Sequence, residues 1–235
     1  MLNQVSVLIP YKPDNGIRDD LFKWVKAFYE ETMPEVEFCV GKALSEPFNR
    51  SRAINLAAKQ ATRDILVIAD SDIIFDPEIL TQAIPLLDQQ AWIIPYSQWF
   101  DFTEPSTKKL LTSAPQWPLP KKIEVKNRFK NRAYQPVSGV IVVTRENFTR
   151  VKGFDERFVG WGREDDAFRC AMDTICGPYK RLCHNAIYHL WHPKVGGKRN
   201  PNIRNNNKLL LRYKNRSGNV KRMEKLIHER SKKSD

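Results

Sequence analysis

The chain has 235 residues, 41% hydrophobic and 11% aromatic, which suits one buried core and excludes a disordered chain. Its formal charge is +12, and no apolar run approaches the roughly 20 residues of a membrane span. The opening residues show neither a basic leader nor a small-residue cleavage site, so the expectation is a cytoplasmic protein without an integral span. Cys39, Cys170, Cys176 and Cys183 form no CxxC pair, which argues against a zinc site or a disulfide framework.

In chain order, residues 4–10 predict a strand, apolar and β-branched, ending at a proline. Residues 17–31 place Leu21, Trp24, Val25 and Phe28 at helical spacing. A second strand is expected over 36–41, a helix over 48–61, and a continuously apolar strand over 64–69, as in a sheet buried on both faces. A helix begins after Asp76-Pro77 and a strand follows at 91–95. Residues 99–136, rich in proline and aromatics, read as a long irregular segment. A strand at 139–143, a helix at 146–151, a loop at 153–162, a helix at 164–172 and a strand ending near His189 complete the alternation. The fold class is α/β, a single wound sheet.

The charge is uneven. Residues 194–235 hold 14 Lys and Arg against three acidic residues, a net of +11, and the rest carries only +1. The division is a domain over 1–193 and a basic helical extension over 194–235, with helices near 208–213 and 220–229. That extension is either a solvated helical pair or a contact for something anionic: a membrane surface, a nucleic acid or a polyanionic glycan.

Three sets of residues carry chemistry. Asp70-Ser71-Asp72 ends a buried strand, where wound sheets bind ligands, and carboxylates there suit a divalent cation shared with a diphosphate. The plainer reading is that Asp is common in loops. His189 and His192 follow a strand and could give nitrogen ligands to the same metal, or simply be loop histidines. In Gly160-Trp161-Gly162-Arg163-Glu164-Asp165-Asp166, acidic residues open a helix and complement its dipole. The same run offers a hinged stacking surface with a carboxylate behind it, able to take a proton.

With Ile9-Pro10-Tyr11-Lys12, Phe48-Asn49-Arg50, Gly139-Val140 and Gly153-Phe154, these sets resemble the galactosyltransferase and N-acetylgalactosaminyltransferase families of the GT-A fold. The similarity is to the β-1,4-galactosyltransferase group and to bacterial chondroitin-polymerase modules, and it runs over residues 5–192. It implies transfer of a hexose or N-acetylhexosamine from a UDP-sugar to an acceptor hydroxyl, with Mn²⁺ or Mg²⁺. Pro10, Tyr11, Lys12, Phe48 and Arg50 would line the donor pocket, with Ser71 and Gly139 nearby. Asp72 and His192 would hold the metal, His189 would be an extra ligand, and Asp70 would lie by the metal or the ribose. Trp161 would sit between donor and acceptor, Glu164 would hold the acceptor, and Asp165 would be the base. One base and direct displacement imply inversion; retention stays open. Pro136 stands near a donor-selecting aromatic of that group, and the tail has no counterpart in it.

Two other classes compete. One is a nucleic-acid-binding protein, or a transferase acting on modified nucleic acid through the tail, although no nucleic-acid-binding motif is present. The other is a non-catalytic binder of sugar nucleotides or glycans. The partners expected are the donor, a glycan or other hydroxyl acceptor that an anionic group would suit, and peripheral contact with an anionic surface.

Overall fold

Two runs of apolar residues set the centre of the fold. Val5–Tyr11 (β1) and Ile65–Ala69 (β3) are buried at every position, as strands covered on both faces must be. The computed structural model describes residues 1–129, 136–193 and 200–230. In it β1 pairs in parallel with β3 on one side and with Glu37–Lys42 (β2) on the other. Ile17–Thr32 (α1) turns Leu21, Trp24, Val25, Phe28 and Tyr29 inward at helical spacing. Arg50–Gln60 (α2) starts at Asn49, whose side chain accepts a 2.9 Å hydrogen bond from the Arg52 amide. It packs so close to β2 that a Cβ on Gly41 would fall 1.7 Å from the Ala53 carbonyl oxygen.

Among the described residues the main sheet has six strands. Ile73–Phe75 (β4) and Glu78–Ala83 (α3) lead to Trp92–Ile94 (β5). Val140–Thr144 (β8) lies antiparallel between β3 and β5, and Tyr179–Arg181 (β9) closes the edge parallel to β5. The sheet is therefore mixed rather than uniformly parallel.

Residues 99–136 are not simply irregular. Gln98–Phe102 (β6), Glu104–Leu111 (α4) and Val125–Asn127 (β7) lie within or beside them. Trp99 and Phe102 are buried, and Thr103 caps α4 by accepting from the Ser106 amide. With Ala186–His189 (β10), these strands form a second sheet in the order β4-β10-β6-β7. Its register places His189 opposite Ile73 on one side and Asp101 on the other. The residues following Asp70-Ser71-Asp72 are thus brought to His189 by strand pairing.

Arg145–Arg150 (α5) and Glu164–Ile175 (α6) cover the main sheet's far half, and Ile203–Lys214 (α7) and Val220–His228 (α8) pack against α6. The described part of the C-terminal segment holds the two expected helices, and their apolar face is docked. Leu210, Tyr213, Met223, Leu226 and Ile227 join the same hydrophobic core as β1 and β3. Tyr213 donates a 2.7 Å hydrogen bond to buried Asp155, which also pairs with Arg157 at 2.7 Å and Arg230 at 3.6 Å. Burial raises the proton affinity of Asp155, yet its hydrogen bond from Arg157 and the charge of Arg230 outweigh that and hold it low. The basic residues that remain exposed, such as Arg204, Lys208 and Lys221, occupy the outer face. Residues 194–199 and 231–235 lie outside the described residues. No helix among the described residues is long and apolar enough to cross a membrane. Because Leu226 is fully buried, Leu226→Ala should cost about 2–5 kcal/mol in urea unfolding. A cost below about 0.5 kcal/mol, typical of a surface change, would show the segment to be loosely attached.

Candidate active site

The site begins at a turn. After β3 the chain reverses through Asp70-Ser71-Asp72, closed by a 3.2 Å hydrogen bond from the Ile73 amide to the Asp70 carbonyl. The Asp70 amide is held in turn by the carbonyl of Gly139 at 3.1 Å. A turn aims side chains two residues apart in different directions, and the two carboxylates have separate partners. Asp70 Oδ1 accepts from Arg50 Nε at 2.9 Å and Nη2 at 2.7 Å. Asp72, 8% exposed, faces two imidazoles.

Asp72 Oδ2 lies 3.1 Å from His192 Nε2, and its Oδ1 lies 3.7 Å from His189 Nε2. One ligand atom from each of the three residues falls within 4.8 Å of the others. Burial pushes the Asp72 carboxyl up, but His189, His192 and then Arg18 more than reverse this and keep it ionised. The outer ring nitrogens also have partners. His189 Nδ1 lies 3.2 Å from Asp101 Oδ1, and His192 Nδ1 lies 2.9 Å from the Pro193 carbonyl oxygen. Both Nε2 atoms thus face Asp72, as outer partners commonly orient metal-bound histidine, and Arg128 Nη2 also lies 3.2 Å from His189 Nδ1. Asp101 is itself gripped by Arg128, whose Nε donates at 2.8 Å. Asp70, expected beside these ligands, falls outside the cluster.

A second centre lies around Arg50, the first residue of α2. Its guanidinium is 11% exposed and sits among three carboxylates: Asp70 at 2.7 Å, Asp165 at 2.8 Å and Glu164 at 3.8 Å. Arg50, expected on the donor, is therefore taken up by carboxylates. The α6 end is shaped by Arg163, whose φ of 85° reverses the chain into the helix. Glu164 turns back to accept from the Gly162 amide at 3.1 Å and is 4% exposed. Asp166 lies 3.7 Å from both Arg163 and Arg169. Asp165 keeps 20% of its side chain exposed. Burial raises the proton affinity of Asp165 most; Arg50 opposes this, Glu164 and Asp70 add to it, and the result is about 8. Burial likewise pushes Glu164 up. One cation shared by three carboxylates leaves the group short of positive charge.

The other expected residues gather at the same ends of the strands. Pro10 and Tyr11 end β1, and Tyr11 stacks on Phe22 at 4.0 Å and donates to Asp19 at 2.5 Å. Lys12 is paired with Glu46. The Phe48 carbonyl accepts from the Gly160 amide at 3.1 Å, and Trp161 stands 62% exposed. Gly139 has a spacing role: a Cβ there would meet the Trp99 ring at 2.7 Å. The Pro136 carbonyl accepts from Arg181 at 2.7 Å. Three residues not foreseen belong here. Arg18, from the first turn of α1, reaches His192 Nδ1 at 3.2 Å, and Asp101 and Arg128 stand behind His189. A broad groove at the opposite end of the sheet, lined by Asp64, Ile84, Arg145 and Arg150, holds none of these groups.

Two family models match the chain: glycosyl transferase family 2 over residues 15–155, and the N-terminal domain of galactosyltransferase over residues 120–193. The chain belongs to glycosyl transferase family 2. This is the enzyme class that the motifs resembled, and the fold is of the GT-A type. A curated relative, β-1,4-galactosyltransferase 5 of Danio rerio, is 22% identical over 176 residues, which cover 69% of this chain and 36% of that protein. The chain thus spans about a third of the length of the curated relative it matches. Among solved structures, glucosyl-3-phosphoglycerate synthase from Mycobacterium tuberculosis, in complex with Mn²⁺, UDP-glucose and phosphoglyceric acid, aligns with a TM-score of 0.53. It is 15% identical, and the match covers 93% of this chain and 79% of that one, a likeness of fold. A Drosophila β-1,4-galactosyltransferase 7 mutant complex with manganese, UDP-Gal and xylobiose aligns at a TM-score of 0.47 with 18% identity, over 75% of this chain and 63% of that one.

The raised proton affinity of Asp165 has a consequence for stability. Between the ordinary Asp value of ~3.9 and about 8, the folded protein holds a proton that the unfolded chain has lost. The stability contributed by this group is complete below the lower value and is lost as pH rises through the upper one. Asp165→Asn, which cannot ionise, should therefore gain in Tm on the native protein as pH is raised from about 5 to about 9. A Tm difference that stays constant across that range would contradict the assignment.

Proposed function

We propose that this chain is a metal-dependent glycosyltransferase that moves a hexose or N-acetylhexosamine from a UDP-sugar to an acceptor hydroxyl with inversion. The observation that carries the reading is the pairing of two centres joined by the Asp70–Asp72 turn: Asp72, His189 and His192 in one, and a mostly buried carboxylate, Asp165, in the other, with exposed Trp161 on the loop before α6. The donor set fits a divalent cation, and two imidazoles with one carboxylate favour Mn²⁺ over the oxygen-seeking Mg²⁺. Asp72, His189 and His192 would hold that ion, which when bound supplies positive charge against the departing diphosphate. Arg18 and Lys12 add cationic charge near the same phosphates. Tyr11 and Phe48 wall the nucleotide pocket.

Asp165 takes the proton of the acceptor hydroxyl. That oxygen bonds to the anomeric carbon as the bond from carbon to the diphosphate oxygen breaks, and UDP leaves. A proton affinity near 8 suits a base that works close to neutral pH. Arg50 and Glu164 fix the position of Asp165, and Trp161 offers an apolar face to a sugar ring. The nucleic-acid reading rested on the basic tail, and one face of both tail helices is spent in the core.

Two tests follow. UDP at 100 times its dissociation constant, with Mn²⁺, should stabilise the fold by about 2.7 kcal/mol, and the gain should collapse with chelator or in Asp72→Ala. Equal stabilisation with and without chelator would remove the metal from the account. In transfer assays over a panel of p-nitrophenyl glycosides, kcat/KM for the acceptor should rise with an apparent pKa of about 8. Asp165→Asn should lose about 10²–10⁴ in rate while keeping donor affinity. Near-normal turnover in that variant, with loss in Glu164→Gln instead, would move the base to Glu164.

A further inference from the structure

The loop carrying Trp161 is fastened from the C-terminal segment. Its backbone takes left-handed conformations at Gly160 (φ 74°), Gly162 (φ 110°) and Arg163 (φ 85°), so its carbonyls have no partners in a regular ladder. Two asparagines satisfy them. Asn200 Nδ2 donates to the carbonyls of Val159 at 3.1 Å and Trp161 at 2.9 Å. Asn206 Nδ2, on α7, donates to Val159 at 3.2 Å and Gly162 at 3.0 Å, and its Oδ1 accepts from the Val159 amide at 3.4 Å. Asn206 is 1% exposed and Asn200 7%. The fit of Asn200 against the loop is close enough that a Cβ on Gly160 would lie 2.4 Å from its Oδ1. On the opposite side the Gly160 amide is tied to the Phe48 carbonyl at 3.1 Å. The backbone is thus held on two flanks while the indole stays 62% exposed.

We propose that Asn200 and Asn206 are positioning residues for the acceptor, setting Trp161 over the site from a segment that contributes no reacting group. The assignment of this loop to the acceptor rests on the glycosyltransferase reading; the fastening itself does not. Buried amides are costly unless fully paired, and these two spend their donors on the backbone of one four-residue stretch. Packing alone would be served by apolar residues at the same places. The C-terminal segment is then part of the acceptor site, and its loss would affect acceptor use before donor binding.

Asn206→Asp keeps the shape and one acceptor atom but turns two donated hydrogen bonds into contacts between a carboxylate and carbonyls. By hydrogen exchange of the full chain, peptides covering 158–163 should exchange about tenfold faster, with those of β1, β3 and α6 unchanged. With the p-nitrophenyl glycoside of highest turnover, KM for that acceptor should rise about tenfold while KM for the UDP-sugar holds. Asn200→Ala, outside α7, should reproduce both effects should Asn206→Asp fail to fold. Lys208→Ala, on the exposed face of α7, should show neither. Unchanged exchange at 158–163, or exchange that rises equally throughout the chain, would overturn the proposal. Faster exchange at 158–163 with donor and acceptor KM altered alike would also overturn it. Absence of transfer to every glycoside would count against the glycosyltransferase reading, and the exchange result would still decide the fastening.

Discussion

Everything at the active end of this fold depends on one guanidinium shared by three carboxylates. Arg50 starts α2, Asp70 ends β3, and Glu164 and Asp165 start α6. Their meeting point fixes three elements that are far apart in the chain. Removing one partner from a buried ionic group typically costs about 3–5 kcal/mol, because the charge left behind is neither solvated nor paired. The arrangement is also incomplete by design of its charges. Arg50 neutralises one carboxylate fully, and the deficit appears as the raised proton affinity of Asp165 and Glu164. The same imbalance that weakens the fold at higher pH gives Asp165 its capacity to accept a proton.

The turn at Asp70-Ser71-Asp72 separates two kinds of chemistry. Asp70 is committed to the Arg50 group and Asp72 to the histidines, so an acidic pair one residue apart serves two centres rather than one. The second sheet supplies the other half of the geometry. Because β10 lies between β4 and β6, His189 falls between the residue after Asp72 and Asp101. Asp101, held by Arg128, can then fix the His189 ring so that Nε2 faces inward.

Much of this was legible in the residues. Strands β1 and β3 announce themselves as unbroken apolar runs, and α1 by its spacing of Leu21, Trp24, Val25 and Phe28. Asn49 is a readable cap. Met223, Leu226 and Ile227 at helical spacing signal a docked face on α8, even though the charge around them suggests a solvated one. The second sheet was not legible, because its strands are only three to five residues long and gain their partners from tertiary pairing. Thr103 ahead of Glu104-Pro105 was a usable helix start within the segment read as irregular. Arg18, Asp101 and Arg128 carried no pattern; each is an isolated charge whose role comes from where the fold places it. Asn200 and Asn206, in a polar run, look like loop residues until their amides are seen against the 159–162 backbone.

The most direct test of this division is a crystal structure with Mn²⁺ and UDP, the ion located by its anomalous scattering. The peak should lie among Asp72, His189 and His192, with Arg50 still bridging Asp70 and Asp165. A peak held by Asp70 and Asp72 together, with Arg50 released onto the diphosphate, would contradict it.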